Sequence, residues 1–252
     1  MTLVSWFAGD RIALSSTGAM ELTNRDTFPT LWNVVENLAI TAGIPRPRIY
    51  IVQDQSPNAF ATGRDPQHAS ICVTTGLLQI MDRTELEGVI SHELSHVRNY
   101  DSRVMMLAVV LVGALALMGN LFMRGALFGG GRRRGGRDNG GEVGLILMIV
   151  GLVFLILSPI IGQLMKLAVS RKREYLADAS GALLTRYPEG LASALEKIRD
   201  AGLPLQHPST ATDHLWISEP GSSLKARASN LFSTHPPINE RIKRLRAMID
   251  TA

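Results

Sequence analysis

The chain has 252 residues, 46% of them hydrophobic and 19% charged, with 26 Lys and Arg against 22 Asp and Glu. That length suits one large or two small domains, and a single cysteine, Cys72, excludes an internal disulfide framework and fits a reducing compartment. The basic excess forms no stripe with interleaved aromatics and accompanies no nucleic-acid motif, so nucleic acid is not an expected partner.

Residues 1–8 are apolar but too short to cross a membrane, and no basic lead-in marks them as a signal peptide. Residues 27–42 are expected to form an amphipathic helix capped by Asp26 or Thr27, with Phe28, Leu31, Val35 and Leu38 on one face and Gly43 and Pro45 as stops. Strands are expected over 48–53, 59–62 and 69–74, with a turn over 64–68. Thr84-Glu85-Leu86-Glu87 has the form of a capping box, opening a helix that runs through His96.

Two runs without a single charge follow, 104–123 and 143–165, separated by a Gly- and Arg-rich linker over 124–142. Each reaches the ~20 residues needed to cross a hydrocarbon core of ~30 Å. Basic clusters flank them: Arg132, Arg133, Arg134 and Arg137 between the runs, and Lys166, Arg171, Lys172 and Arg173 after the second. Such clusters suit anionic lipid head groups. Five Arg in the linker against six basic residues on the outer flanks leave the orientation undecided by charge. Beyond the runs, helices are expected over 167–186 and 189–200, irregular chain over 203–233, and a last helix from Pro236-Pro237 with Ile238, Ile242 and Leu245 on one face.

The chemistry concentrates in His92-Glu93-Leu94-Ser95-His96, an H-E-x-x-H pattern on a predicted helix. Residues four apart share a helix face, so both imidazoles can reach one metal ion. Glu93 points beside that ion and can take a proton from its water, the pattern of a zinc metallopeptidase. Such an ion needs a third protein ligand and an open position. The metzincin spacing is excluded by Asn99 and Ser102, and Gly18-Ala19-Met20-Glu21 resembles a zinc-aminopeptidase motif only by coincidence. The best third ligand is Glu174. His96 ends eight residues before the first run at Val104, and Glu174 follows the second run's end at Lys166 by eight residues. Two crossings would therefore bring both segments out on one face at similar depth. Asp178 lies one helical turn beyond Glu174 and can accept a hydrogen bond from a ligand imidazole, fixing its tautomer.

These residues carry a family resemblance. Pro57-Asn58-Ala59-Phe60-Ala61, the HELSH helix with Asn99 and Asp101, Glu174-Tyr175-Leu176-Ala177-Asp178, and Ser233-Thr234-His235-Pro236-Pro237 with Arg241 resemble the HtpX family of membrane zinc endopeptidases, related to the C-a-a-X prenyl proteases. The resemblance implies a mainly α fold with a small β-sheet, a gluzincin-like peptidase domain interrupted by a transmembrane helical hairpin. Its parts would be 1–103, the hairpin 104–165, and 166–252 with the third ligand. It implies Glu174 as zinc ligand, polypeptide substrates including damaged membrane proteins, and a catalytic face in the cytoplasm at a bacterial inner membrane, in stress response and protein quality control. It places Asn58, Ala59 and Phe60 at the cleft, where an extended segment can pair with substrate backbone. His235 either donates to the developing oxyanion or is an ordinary residue at a helix start; His68, His207 and His214 are expected in solvated loops. Family members usually begin with two further transmembrane helices before a segment like Ser5-Trp6-Phe7-Ala8-Gly9-Asp10, and Met1 falls near the end of the second. Two other readings compete. A site-2-type intramembrane protease would bury Glu85 and Glu87 in lipid at ~2–3 kcal/mol each. A membrane scaffold with a vestigial site would be expected to have lost Glu93.

Overall fold

The computed structural model describes residues 10–129, 145, 146, 148–157, 160, 171–206, 215–217 and 236–249. The expected strands fall at β2 (Arg48–Val52), β3 (Ala59–Thr62) and β4 (Ser70–Thr74), and a two-residue strand β1 (Met20–Glu21) joins them. The sheet order is β1-β2-β4-β3, with β2 parallel to β4 and the two outer pairings antiparallel. Side chains alternate along each strand, so the sheet serves two cores. Ile49, Ile51, Ala59, Ala61, Ile71 and Val73 face the helices in the larger one. Tyr50, Val52, Phe60 and Cys72 face the other way, against Ala13 and Leu14 of α1 (residues 10–16) and against Leu215 and Trp216.

Helix α2 (Pro29–Ala42) starts without the expected cap. Asn24, not Asp26 or Thr27, caps a preceding 3-10 turn over Arg25–Thr27, and Pro29 then opens α2 with no N–H to satisfy. Gly43 ends it in the left-handed conformation at φ 70°. A short helix α3 (Thr75–Ile80), absent from the sequence expectations, follows β4 with Thr74 as its cap. Helix α4 (Arg83–Arg98) carries the H-E-x-x-H residues, and its capping box is Asp82 with Glu85 rather than Thr84 with Glu87. Thr84 is displaced from that role because its own hydroxyl donates to Asp82 Oδ1 at 2.7 Å.

Helix α4 is the central strut, buried from Leu86 and from Gly88 through Val97. Helices α7 (Arg171–Thr185) and α8 (Pro188–Ala201) pack along it, with α2 beside them and α9 (Ile238–Ala247) against α8. Two glycines permit the close approach. A Cβ at Gly88 would sit 2.5 Å from the Leu191 backbone nitrogen on α8, and one at Gly181 of α7 would sit 3.0 Å from the His92 nitrogen. Buried Glu85 joins α4 to α8 by accepting from Ser193 Oγ and Lys197 Nζ, each at 2.6 Å.

Helix α5 (Asp101–Gly129) contains the first uncharged run and extends into the expected linker. Residues 148–157 of the second run form α6. A Cβ at Gly119 would lie 3.1 Å from Leu155 Cγ, one at Gly151 would lie 3.1 Å from Met123, and Phe122 stacks on Phe154 at 5.8 Å. The partner number falls as the residue number rises, so α5 and α6 run antiparallel. Among the described residues no helix is long and apolar enough to cross a membrane. Linker positions 130–142, residues 167–170, His207, His214 and His235 lie outside the described residues.

Candidate metal centre

The spacing of His92 and His96 puts both rings on one face of α4, and α7 brings Glu174 against them. One ligand atom from each of the three lies within 4.8 Å of the others. The two Nε2 atoms are 3.2 Å apart, and Glu174 carboxylate oxygens lie 3.9 Å from His92 Nε2 and 3.4 Å from His96 Nε2. An ion with bonds of about 2.0–2.1 Å in tetrahedral array has ligand atoms about 3.3–3.4 Å apart. The donor set therefore fits a metal ion. His92, Glu93, His96 and Glu174 are all at most 5% exposed. The charge of Glu93 acts on His96, Cys72 and Arg241, which puts its carboxylate beside the cluster.

Each ligand imidazole is oriented through its other nitrogen. His92 Nδ1 lies 3.0 Å from Asp178 Oδ1, and His96 Nδ1 lies 3.1 Å from Asp101 Oδ2. A carboxylate at Nδ1 holds the proton there and leaves Nε2 for the metal. Each carboxylate is in turn held by an arginine. Arg241 donates to Asp178 in a bidentate pair at 2.9 and 2.7 Å, and Arg173 Nη1 donates to Asp101 Oδ1 at 2.6 Å. In the sequence Asp101 and Arg241 stand out only as parts of a family resemblance, and Arg173 only as one of the basic residues flanking the second uncharged run. Arg241 had a legible signal: with Ile238, Ile242 and Leu245 it completes the apolar i, i+3, i+4, i+7 stripe of α9, a core position where a charge needs a buried partner.

The two imidazoles are pushed in opposite directions. Burial and the neighbouring Arg241 guanidinium lower His92 to about 4. Burial also opposes charge on His96, but Glu174 and Asp101 outweigh it and raise that ring to about 10. Burial alone would raise the Asp178 carboxyl, and Arg241 reverses this, holding it well below the usual carboxylate range.

Asn58 and Phe60 are buried, Phe60 edge-on to Trp216 with ring centroids 4.6 Å apart. Strand β3 is an edge, yet the Ala59 carbonyl on its free side already accepts from Ile217 N at 2.9 Å. His68 is half-exposed and bonds Asp65 at 2.6 Å. For His235 the expectation lies outside the described residues.

An H-E-x-x-H helix flanked by a mixed sheet, with a carboxylate brought in from a second helix, defines a metallopeptidase class. The family model for Peptidase family M48 matches residues 25–249. The chain is 50% identical over 253 residues to a protease HtpX homolog of Thermoanaerobacter pseudethanolicus, covering 98% of this chain and 82% of the relative. It is 52% identical over 239 residues to a protease HtpX homolog of Dictyoglomus thermophilum, covering 95% and 75%. The chain therefore belongs to peptidase family M48, among the HtpX proteases, and is a metallo-endopeptidase. Among solved structures, the crystal structure of S. mikatae Ste24p matches with a TM-score of 0.51 at 19% identity, covering 96% of this chain and 57% of that one, a likeness of fold.

Proposed function

We propose that the chain is a zinc endopeptidase that hydrolyses peptide bonds of membrane or misfolded proteins at the cytoplasmic face of the cell inner membrane. The observation that carries the reading is the buried His92–His96–Glu174 cluster with Glu93 beside it. Zinc is the metal of choice because two imidazole nitrogens and one carboxylate at near-tetrahedral spacing match its catalytic sites. When bound there, zinc supplies a Lewis acid that polarises the scissile carbonyl and lowers the pKa of a coordinated water from ~16 toward ~7.

The chain's own groups do the rest. His92 and His96 present Nε2, fixed by Asp178 and Asp101. Glu93 takes the proton of the attacking water as the new C–O bond forms. It then delivers that proton to the leaving amine as the C–N bond breaks. His235 donates to the developing oxyanion. Substrate backbone pairs with the edge of β3 beyond Ala59, where the Ala61 peptide groups face the same free side by the alternation of antiparallel pairing.

The membrane part of the proposal rests on the two uncharged runs, the antiparallel packing of α5 on α6, and exposed Leu117, Leu121, Leu145, Ile146, Leu152 and Ile156 along them. At 1.5 Å per residue the 29 residues of α5 span about 43 Å. The hairpin would cross the bilayer with Arg132–Arg134 opposite the zinc. In a Cys72→Ser background, an impermeant maleimide on intact cells should label Arg133→Cys and spare Leu183→Cys. Reaction of both only after lysis would show that the hairpin does not span.

The mechanism is tested by metal analysis and casein cleavage. Wild type should hold one zinc per chain, and His92→Ala, His96→Ala and Glu174→Ala should each lose most of it. Glu93→Gln should keep zinc and lose about 10²–10⁴-fold in turnover, the usual worth of a general base. Near-wild-type cleavage by Glu93→Gln would sink the mechanism; full zinc retention by Glu174→Ala would remove that residue as ligand.

A further inference from the structure

We propose that Asp101 and Arg173 form a positioning clamp for His96 that couples the metal centre to the two feet of the apolar hairpin. The inference rests on the metal site and the membrane hairpin proposed above. Asp101 uses both oxygens: Oδ2 faces His96 Nδ1 at 3.1 Å and Oδ1 accepts from Arg173 Nη1 at 2.6 Å. The two clamp residues are 72 positions apart in sequence. Asp101 is the first residue of α5, which carries the first uncharged run, and Arg173 stands in the first turn of α7, which follows the second. The covalent link between them runs through the hairpin, and this ion pair joins its two feet directly beside His96.

The backbone is bent to make the clamp. In an unbroken helix residue 101 would stand about 140° around the axis from His96, too far for its carboxylate to reach the ring. The chain instead breaks after Arg98, and Tyr100 adopts φ 60°, a left-handed conformation unfavourable for a residue with a Cβ. That kink starts α5 anew and swings Asp101 back under His96. An unfavourable backbone angle that persists beside a metal ligand is held by the surrounding structure for a positional purpose. The start of α5 also favours a carboxylate at Asp101 through the helix dipole.

The clamp is built to yield. Asp101 is 5% exposed at its side chain, but the Arg173 side chain is 45% exposed, so water competes for the guanidinium. Half-exposed ion pairs are weak. A spread of the two feet therefore separates Arg173 from Asp101 before it disturbs the buried core, and His96 loses its orientation while His92 keeps its own. Hairpin geometry, set by the surrounding bilayer and by anything that wedges between the helices, becomes a control on metal affinity.

The test uses the full-length protein in detergent and in lipid nanodiscs, reading zinc affinity by competition with a chromogenic chelator and ligand geometry by the visible spectrum of the cobalt form. Replacing a residue that orients a metal ligand typically lowers metal affinity about 10–100-fold. Asp101→Ala should fall in that range, and Arg173→Ala, acting one step further out, should lose about three- to tenfold with an altered cobalt spectrum. Arg173→Lys should restore both. Wild type should bind zinc about threefold more tightly in nanodiscs than in detergent, and Arg173→Ala should show no such difference. Unchanged affinity in Asp101→Ala and Arg173→Ala overturns the clamp, and equal wild-type affinity in the two media overturns its coupling to the hairpin. Retention of zinc by His96→Ala would overturn the metal-site reading itself, and the clamp with it.

Discussion

His92 is braced by Asp178 and Arg241, His96 by Asp101 and Arg173, and the two braces differ in where their arginines stand. Arg241 is 1% exposed and lies in the larger core on α9, donating twice to Asp178 and once to the Ile217 carbonyl at 3.4 Å. It also stands 3.7 Å from Glu174 of the candidate metal centre. Arg173 is half in water and makes one contact to Asp101. The same imidazole–carboxylate–guanidinium sequence thus serves as a fixed wall on one side of the metal and an adjustable stay on the other. The difference teaches that burial, and not the list of residue types, decides what an ion pair does. A buried pair has lost its water and must stay closed, whereas a half-exposed pair can exchange protein for solvent at little cost.

The largest expected effect lies on the fixed side. Arg241→Ala leaves Asp178 and Glu174 without their counter-charge in the core, and removing one partner of a buried pair costs about 3–5 kcal/mol. Urea unfolding of the metal-free protein should show it, and Arg241→Lys should restore little because an ammonium cannot make the bidentate pair. Stability within 1 kcal/mol of wild type would erase the contrast between the braces.

Next is the packing that holds the His92 side still. Gly181→Ala drives a Cβ to 3.0 Å from both the His92 nitrogen and Ser91 Oγ. Overpacking of this kind costs about 1–3 kcal/mol, read as a fall in the thermal midpoint. An unchanged midpoint would mean that α7 moves freely against α4, and the His92 side would not be the rigid one.

A smaller effect belongs to the start of α4, which supports both braces equally. Asp82 accepts from Glu85 N at 2.9 Å, and the Glu85 side chain accepts from Asp82 N at 2.8 Å. Asp82→Ala should cost about 1 kcal/mol, as loss of a helix cap usually does. The Asp82 carboxyl is lowered from its ordinary value of 3.8, chiefly by the Glu85 backbone hydrogen bond. A lowered folded value means the cap's charge-dependent stability is present above 3.8 and lost as pH falls through the folded value. Asp82→Asn, which still caps but cannot titrate, should flatten that acid limb; an unaltered limb would place the acid sensitivity elsewhere.

The smallest stability change is expected on the adjustable side. Arg173→Ala should alter unfolding by about 0–1 kcal/mol, as for an exposed pair, even while metal affinity drops. A loss comparable to that of Arg241→Ala would make the two braces alike.

Much of this molecule is written locally. The i, i+4 spacing of His92 and His96 sits inside one helix, β-branched runs mark β2 and β4, and Gly43 and Gly202 end their helices in the left-handed conformation that glycine adopts most readily. Glu174, expected as third ligand from equal spacers on either side of two uncharged runs, lies within reach of His92 and His96. The errors are local too, but competitive. At the start of α4 two overlapping capping patterns were available, and Asp82 prevailed over Thr84 because Glu85 could also turn inward to Ser193 and Lys197 of α8. What sequence alone left undecided is the carboxylate behind His96 and the arginine behind each carboxylate. Asp101 beside His96 depends on a left-handed angle at Tyr100 that no local pattern demands, and its partner Arg173 and the Asp178–Arg241 pair join residues 72 and 63 positions apart. Periodicity fixes which face a residue occupies within its own helix, but which charge meets which across helices is settled only when packing has excluded water and brought Arg241 to Asp178 and Arg173 to Asp101.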